Sequence, residues 1–247
     1  MNSKLAKFVL TAVLGLATTL TLNACEEKKK QDGTTTTAET AAATETKPPA
    51  TASEIPLAKA EEVVKGTFTD TRDKKTYKTV KIGSQVWMAE NLNYAAEDLY
   101  SCCYGDDDSP DSPNCKKYGR LYDWNVAMKV CPSGWHLPSN KEWDILVNSV
   151  GADKVAGKKL KSASDWNDYE GKSGNGTDNY GFSALPGHSC GPDGCYSSLG
   201  DKGYWWSFTE KDDRSAYNWI MNYNNDDVNH SDDDKGNAYL SVRCIKD

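Results

Sequence analysis

"VCPSGWHLPSNKEWDIL", Val130 to Leu146, carries the densest set of structural signals in the chain. Ser139 followed by Glu142 forms a capping box, in which the hydroxyl accepts from the third helical amide and the carboxylate reaches back to the N-cap amide. Trp143, Leu146, Val147 and Val150 recur at helical spacing, and Gly151 supplies the stop. Pro138 sits just before the cap, where no helical amide is needed. The spacing predicts an amphipathic helix. His136 has no partner at metal-ligand or catalytic spacing and reads as a satisfied core or turn histidine. The stretch is frame rather than active site.

Working outward, "KTYKTVKIGSQVWMAENLNY" alternates around a Gly-Ser turn. Tyr77, Thr79 and Lys81 point one way and Lys78, Val80 and Ile82 the other, the pattern of a β-hairpin. "CCYGDDDSPDSPNC" has no period and reads as loop. "YGRLYDWNVAMKV" admits a short helix with Trp124, Ala127 and Met128 on one face, and a further helical piece spans Asp153–Leu160. "YGFSALPG", "GYWWSFTE", "SAYNWIMNY" and "NAYLSVRCIKD" read as strands separated by Asp/Asn-rich turns. In the last of them Ala238, Leu240, Val242 and Cys244 share one face, with Tyr239, Ser241, Arg243 and Ile245 on the other. The expected class is α+β: two short helices, at the capping box and at Asp153–Leu160, with antiparallel strands. No internal repeat of fixed period occurs.

The 247 residues carry a net charge of −7, which argues against a nucleic-acid footprint. Aromatics are plentiful, with 8 Trp and 13 Tyr against 4 Phe, a bias that suits amphipathic contact surfaces as well as cores. Residues 1–24 read as a targeting segment: Lys4 and Lys7 precede an apolar run from Phe8 to Leu22 that is too short to span. The run ends "LTLNAC", which resembles the lipobox of bacterial lipoproteins, Asn23 being a departure at the middle position. The resemblance implies cleavage before Cys25, lipidation of its sulfur and acylation of the new amine, a firm membrane anchor. Cleavage leaves 27 basic and 36 acidic residues, net −9, a chain repelled by an anionic leaflet. Residues 25–60 then read as the lipidated cysteine followed by a disordered Thr/Ala/Glu/Pro-rich tether, with no aromatic and no apolar period. Flexible-chain scaling gives it a reach of roughly 30–35 Å. Acids directly after Cys25 resemble surface-export signals of some Gram-negative lipoproteins. The expected localisation is the outer membrane, periplasm-facing or cell-surface exposed.

"AMKVCPSGWHLPSNKEWDIL", "GFSALPG", "GYWWSFTE" and "SVRCIKD" occur in that order and resemble the Fibrobacter succinogenes major paralogous domain. The likeness covers Gly66 to Asp247, so the domain is drawn over residues 61–247. It implies a single C-type lectin-like or sulfatase-modifying-factor-like domain of the formylglycine-enzyme type, stapled by disulfides. It also implies a bridge from Cys131 to Cys244, and a fold and a compartment rather than a reaction. Eight cysteines less the lipidated one leave seven, in an exported chain where disulfides persist. Cys190 and Cys195 flank a "GPDG" turn and pair locally, and Cys102 or Cys103 reaches Cys115. Three bridges are expected, with one of the adjacent pair left over.

Three histidines, His136, His188 and His230, lie in no shared motif, and no zinc, triad, Walker or dinucleotide signature is present. No catalytic residue is assigned. One candidate site is aromatic: Trp205 and Trp206 fall on opposite strand faces, and the outward one, with Tyr204, Trp219 or Tyr223, would make a platform for sugar rings. The competing reading is core packing. A second candidate is calcium, through clustered oxygens in "YGDDDSPD", "SGNGTDNYG" and "NYNNDDVNHSDDD"; the last contributes Asn224, Asn225, Asp226 and Asp227. Solvated acidic turns are its plain alternative, the lectin Glu-Pro-Asn and Gln-Pro-Asp motifs are absent, and "WND" at Trp166–Asp168 is out of place. A minor candidate rests on Cys190-x4-Cys195, which has the spacing of the copper-binding pair of formylglycine-generating enzymes, though "CYSSLG" lacks their basic run. The expectation is a lipid-anchored, non-catalytic ligand-binding domain for polysaccharide or adhesion. The runner-up is a structural envelope protein that binds protein partners.

Overall fold

In the computed structural model the described residues are 63–95, 100–105, 108–109, 111–195 and 198–247. Cys25 and the expected signal and tether segments lie outside them. Along the chain run β1 (Val64–Thr69), β2 (Thr76–Ile82), β3 (Gln85–Met88), β4 (Ser101–Cys102), α1 (Pro113–Tyr118), β5 (Leu121–Tyr122), α2 (Trp124–Val130), β6 (Trp135–His136) and α3 (Asn140–Ser149). There follow α4 (Asp153–Leu160), β7 (Asp168–Tyr169), β8 (Lys172–Ser173), β9 (Cys190–Gly191), β10 (Gly194–Cys195), β11 (Lys202–Glu210), β12 (Ser215–Asn222), β13 (Val228–Asp234), β14 (Leu240–Ser241) and β15 (Ile245–Lys246). The class is α+β. Among the described residues no helix is long and apolar enough to cross a membrane.

Two sheets carry the fold. One has the order β1-β2-β3-β15-β6, the other β13-β12-β11-β14-β5-β4, and β7–β8 and β9–β10 are isolated hairpins. The β2–β3 hairpin pairs Ile82 with Gln85 across Gly83 and Ser84, with Gly83 at φ +58, where a side chain would be strained. β15 lies inside the first sheet, between β3 and β6: Ile245 pairs with both Trp87 and His136.

The opening stretch builds the junction. Ser139 Oγ accepts from the Glu142 amide at 3.3 Å, and Glu142 Oε2 accepts from the Ser139 amide at 2.8 Å, so the capping box is formed. Trp143 and Leu146 on α3 are fully buried. Trp143 stacks on Trp219 with centroids 5.7 Å apart and leans on Trp87 at 4.9 Å. These belong to one core cluster with Phe182, Trp205 and Ile245. A second cluster gathers Tyr77, Tyr122, Trp124, Trp206, Leu240, Val242 and Cys244 on the other side of the larger sheet. By area, each fully buried Trp contributes about 4–6 kcal/mol as an upper bound. Disulfides join Cys131–Cys244, Cys103–Cys115 and Cys190–Cys195, and Cys102 is a buried free thiol.

Several expectations are corrected. Among the described residues four helices are present rather than two; α2 lies in the stretch that admitted a short helix, and α1 falls inside the expected acidic loop, begun by Ser112, whose side chain accepts from the Cys115 amide at 3.1 Å, and by Pro113 at the first turn. "GFSALPG" is not a strand: Gly181 and Ser183 both have positive φ, which breaks an extended run, and only Ala184 makes a bridge, to Lys161. The acidic "VNHSDDD" is not a turn but β13, an edge strand paired along its length with β12. "NAYLSVRCIKD" is two short strands, because Val242 to Cys244 leave one sheet for the other.

Candidate functional site

A well-formed concavity among the described residues is a groove of about 650 Å³. The start of β2, the segment Ala89–Asn93, α1 and residues around Ser162 and Ser183 form its walls. Cys103–Cys115 ties α1 down as one wall, and Cys115 is itself among the lining residues.

The floor is Asn91, a buried hub. Its Oδ1 accepts from Trp205 Nε1 at 2.8 Å and from Arg243 Nε and Nη2 at 3.1 and 2.7 Å. Its Nδ2 donates to the Tyr118 carbonyl at 2.8 Å and to Ser241 Oγ at 3.3 Å. Arg243 is wholly buried; it also donates to the carbonyls of Phe182 and Ser183 and lies 4.4 Å over the Phe182 ring. Among the described residues no carboxylate forms an ion pair with it. Burial lowers its proton affinity, while the charges of Asp178 and Glu90, both on the groove wall, act against that.

The rim alternates cations and anions. Lys75 donates to the Asn93 carbonyl and faces Asp73 at 3.3 Å. Lys78 faces Glu90 at 3.7 Å, Lys116 faces Asp111 at 3.1 Å, and Lys117 meets Asp165 at 2.5 Å. The Lys117 bond holds the Asp165 carboxyl below its ordinary range. Asn93, nine-tenths buried, lines the groove, and among the described residues its Oδ1 has no hydrogen-bond partner. Such an orphan is costly unless a ligand or solvent meets it.

The expected aromatic platform is elsewhere and mostly covered. Trp205 and Trp206 are both at zero exposure and Trp219 at 3%. Their indole nitrogens are used internally, by Asn91, by the Tyr122 carbonyl at 2.8 Å and by Asn140 Oδ1 at 3.0 Å. Both faces of β11 are core, so neither tryptophan turns outward. Tyr204 is half-buried against His188. Tyr223 is half-buried and meets the exposed Tyr169 edge-on at 5.6 Å.

Asn224, Asn225 and Asp226 are exposed and Asp227 half-buried, on the β12–β13 turn. The inward oxygens of that turn face a cation of the protein's own. Lys161, 1% exposed, donates to the carbonyls of Asn222 and Asn225, each at 2.9 Å, and lies 3.9 Å from Asp226 Oδ1. Burial pulls its ammonium down to about 8, with Asp226 opposing. Lys154 holds Asp227 at 2.9 Å. At Gly157 α4 comes so close that a Cβ would stand 2.7 Å from the Asp226 carbonyl. Asp178, from a second acidic stretch, is engaged by the Ser183 amide and hydroxyl at 2.8 and 2.6 Å. Among the described residues no group of three or more His, Cys, Asp or Glu side chains converges to hold a metal ion.

His136 bridges two carboxylates, Glu142 at 2.8 Å and Asp247 at 2.6 Å. His188 is buried beside Tyr204, and His230 lies over the Trp219 ring. The Cys190–Cys195 sulfurs are bonded to each other across the β9–β10 hairpin. Cys102 is buried nearby, its thiol pushed up to about 11 by that burial.

The groove was not visible in the sequence. Its residues come from five separated segments of ordinary composition, and only "AENLNY", with two asparagines flanking an apolar residue, hints at a polar hub. The capping box, the Cys131–Cys244 staple and the tryptophan core constitute the frame that the sequence motifs outline. Comparison with curated proteins and with solved structures gave no match. The family model described as Fibrobacter succinogenes major domain matches residues 80–246, which spans this frame from β2 to β15, and the chain therefore belongs to that family.

Proposed function

We propose that this chain is a lipid-anchored cell-envelope lipoprotein whose C-terminal domain, of C-type lectin-like or formylglycine-enzyme-like type, binds a surface ligand without catalysis. Cys25 is the anchor, residues 25–60 are the tether, and the outer membrane is the site of display. The ligand is a polysaccharide, and adhesion is the role. The observation that carries this reading is the groove: a lined concavity of about 650 Å³, within the size range of ligand sites, with polar groups converging on a rigid floor. Rigid floors favour binding because little ordering remains to be done when the ligand arrives. The buried tryptophans support the role indirectly, by fixing Asn91 through Trp205.

The test is binding of the purified protein to insoluble cellulose, hemicelluloses and a glycan panel, with calcium and with chelator. Saturable binding to one glycan class is the expected result. Equal binding with and without calcium is also expected, since Lys161 fills the acidic turn. Absence of binding to every glycan in both conditions would overturn the polysaccharide reading.

A further inference from the structure

We infer that the Lys75–Asn93 end of the groove is a subsite for a neutral, hydroxyl-rich saccharide rather than for an anionic one. The inference rests on the polysaccharide reading above and narrows its ligand class.

The first argument is charge balance. Each rim ammonium already faces a carboxylate: Lys75 with Asp73, Lys78 with Glu90, Lys116 with Asp111, Lys117 with Asp165. Asp178 adds a further negative charge to the wall, opposite the buried Arg243. An anion entering this groove would have to displace a carboxylate from its ammonium, and the whole chain, at net −7, offers it no long-range attraction. A hydroxyl needs no displacement. It donates one hydrogen bond and accepts others, so it fits between an ammonium and a carboxylate, accepting from one and donating to the other. Adjacent hydroxyls on a sugar ring repeat that pattern.

The second argument is independent. Asn93 Oδ1 is a buried acceptor with no hydrogen-bond partner among the described residues, on a residue that lines the groove and whose backbone carbonyl accepts from the Lys75 ammonium. An acceptor calls for a donor, which a hydroxyl supplies and a carboxylate, sulfate or phosphate oxygen does not. Ala89, Ala163 and Leu185 line the same cavity and give the C–H faces of a sugar an apolar surface.

The experiment uses the full-length chain, titrated with cello- and xylo-oligosaccharides as neutral probes and with oligogalacturonate as the acidic one. Calorimetry is run at low and high salt. Neutral probes should bind with affinity nearly independent of salt. Asn93→Leu and Lys75→Met should each weaken binding by about tenfold or more, the loss of a buried or charge-assisted hydrogen bond. Lys78→Ala, on an exposed rim residue that the fold does not need, should weaken it as well and serves should the other two fail to fold. Binding of oligogalacturonate alone, falling steeply with salt, would overturn the neutral assignment and leave the polysaccharide reading standing. Neutral binding untouched by all three variants would remove the subsite from this groove. No binding in either series would overturn both readings.

Discussion

Replacing Cys131 and Cys244 together by alanine tests the frame most directly. The two cysteines are 113 residues apart in sequence, so their bridge closes most of the domain into one loop. Loop-closure entropy for such a separation gives about 4–5 kcal/mol of stabilisation, against about 3 for a separation near that of Cys103–Cys115 and about 2 for one near that of Cys190–Cys195. Cys244 is fully buried in the second core cluster, and loss of its sulfur adds about 1 kcal/mol. The native contacts at this place are sparse: β15 pairs through Ile245 and Lys246 only, helped by the Met88 amide on the Cys244 carbonyl at 3.0 Å and the Asp247 amide on the Gly134 carbonyl at 3.1 Å. The assay is equilibrium unfolding in urea, followed by tryptophan fluorescence and far-ultraviolet circular dichroism. The double variant should lose about 4–6 kcal/mol, show a larger m because its unfolded state is less constrained, and melt roughly 10–20 °C lower. Cys190→Ala/Cys195→Ala should lose about 2 kcal/mol. A loss below about 1.5 kcal/mol in the first variant, or the reverse order between the two, would refute the entropic account.

Four further outcomes are expected. Glu142→Ala removes the capping box and one partner of His136 and should cost about 1–2 kcal/mol, read as a melting point a few degrees lower. At His136 burial opposes protonation, but the bonds to Asp247 and Glu142 outweigh it and raise the pKa. Its contribution is therefore full below its ordinary value of 6.5 and fades as pH rises through the raised one, and His136→Asn should abolish that slope in melts across pH 5 to 8. At Lys161 the sign is opposite: burial lowers the ammonium to about 8, so stability should rise between that pH and the ordinary 10.5, and Lys161→Met should lose this rise while costing about 2–4 kcal/mol for two carbonyls left without a donor. Trp205→Ala should destabilise by about 3–5 kcal/mol and disturb Asn91, so unfolding rather than a selective binding defect is the expected readout in melts.

The elements that were legible in the sequence are those whose signals are local. The capping box, the Gly-Ser hairpin and the bounds Asp153–Leu160 each depend on a few adjacent residues, and each forms as read. β13 was not legible because an edge strand is buried on little of its surface. Val228 alone is buried, and the rest of "VNHSDDD" is polar because it faces water, so period and hydrophobicity both vanish. α1 hid behind Asp and Pro, although Ser112-Pro113 is a sound start signal. The strand expected at "GFSALPG" failed for the opposite reason: the apolar spacing of Phe182 and Ala184 is real, since both are fully buried, but Ser183 between them sits at φ +52, held by Asp178.

The same physics explains why the site escaped while the frame did not. Alternation tells inside from outside only when one face of a strand meets water. On β11 neither does: Trp205 enters one core cluster and Trp206 the other, so an aromatic doublet that suggests display is packing on both sides. The last segment behaves alike, with Leu240, Val242 and Cys244 in one cluster, Ile245 in the other, and Ser241 and Arg243 buried between. A buried arginine in a doubly covered layer must find neutral oxygens or a distant carboxylate, and Arg243 finds Asn91, Phe182 and Ser183. That requirement places a rigid polar hub beneath the surface, and the groove forms where the hub meets solvent. The polar residues at apolar-strand positions, Ser241 and Arg243, are thus the marks in the sequence that point to the groove, and they point to it through Asn91, its floor.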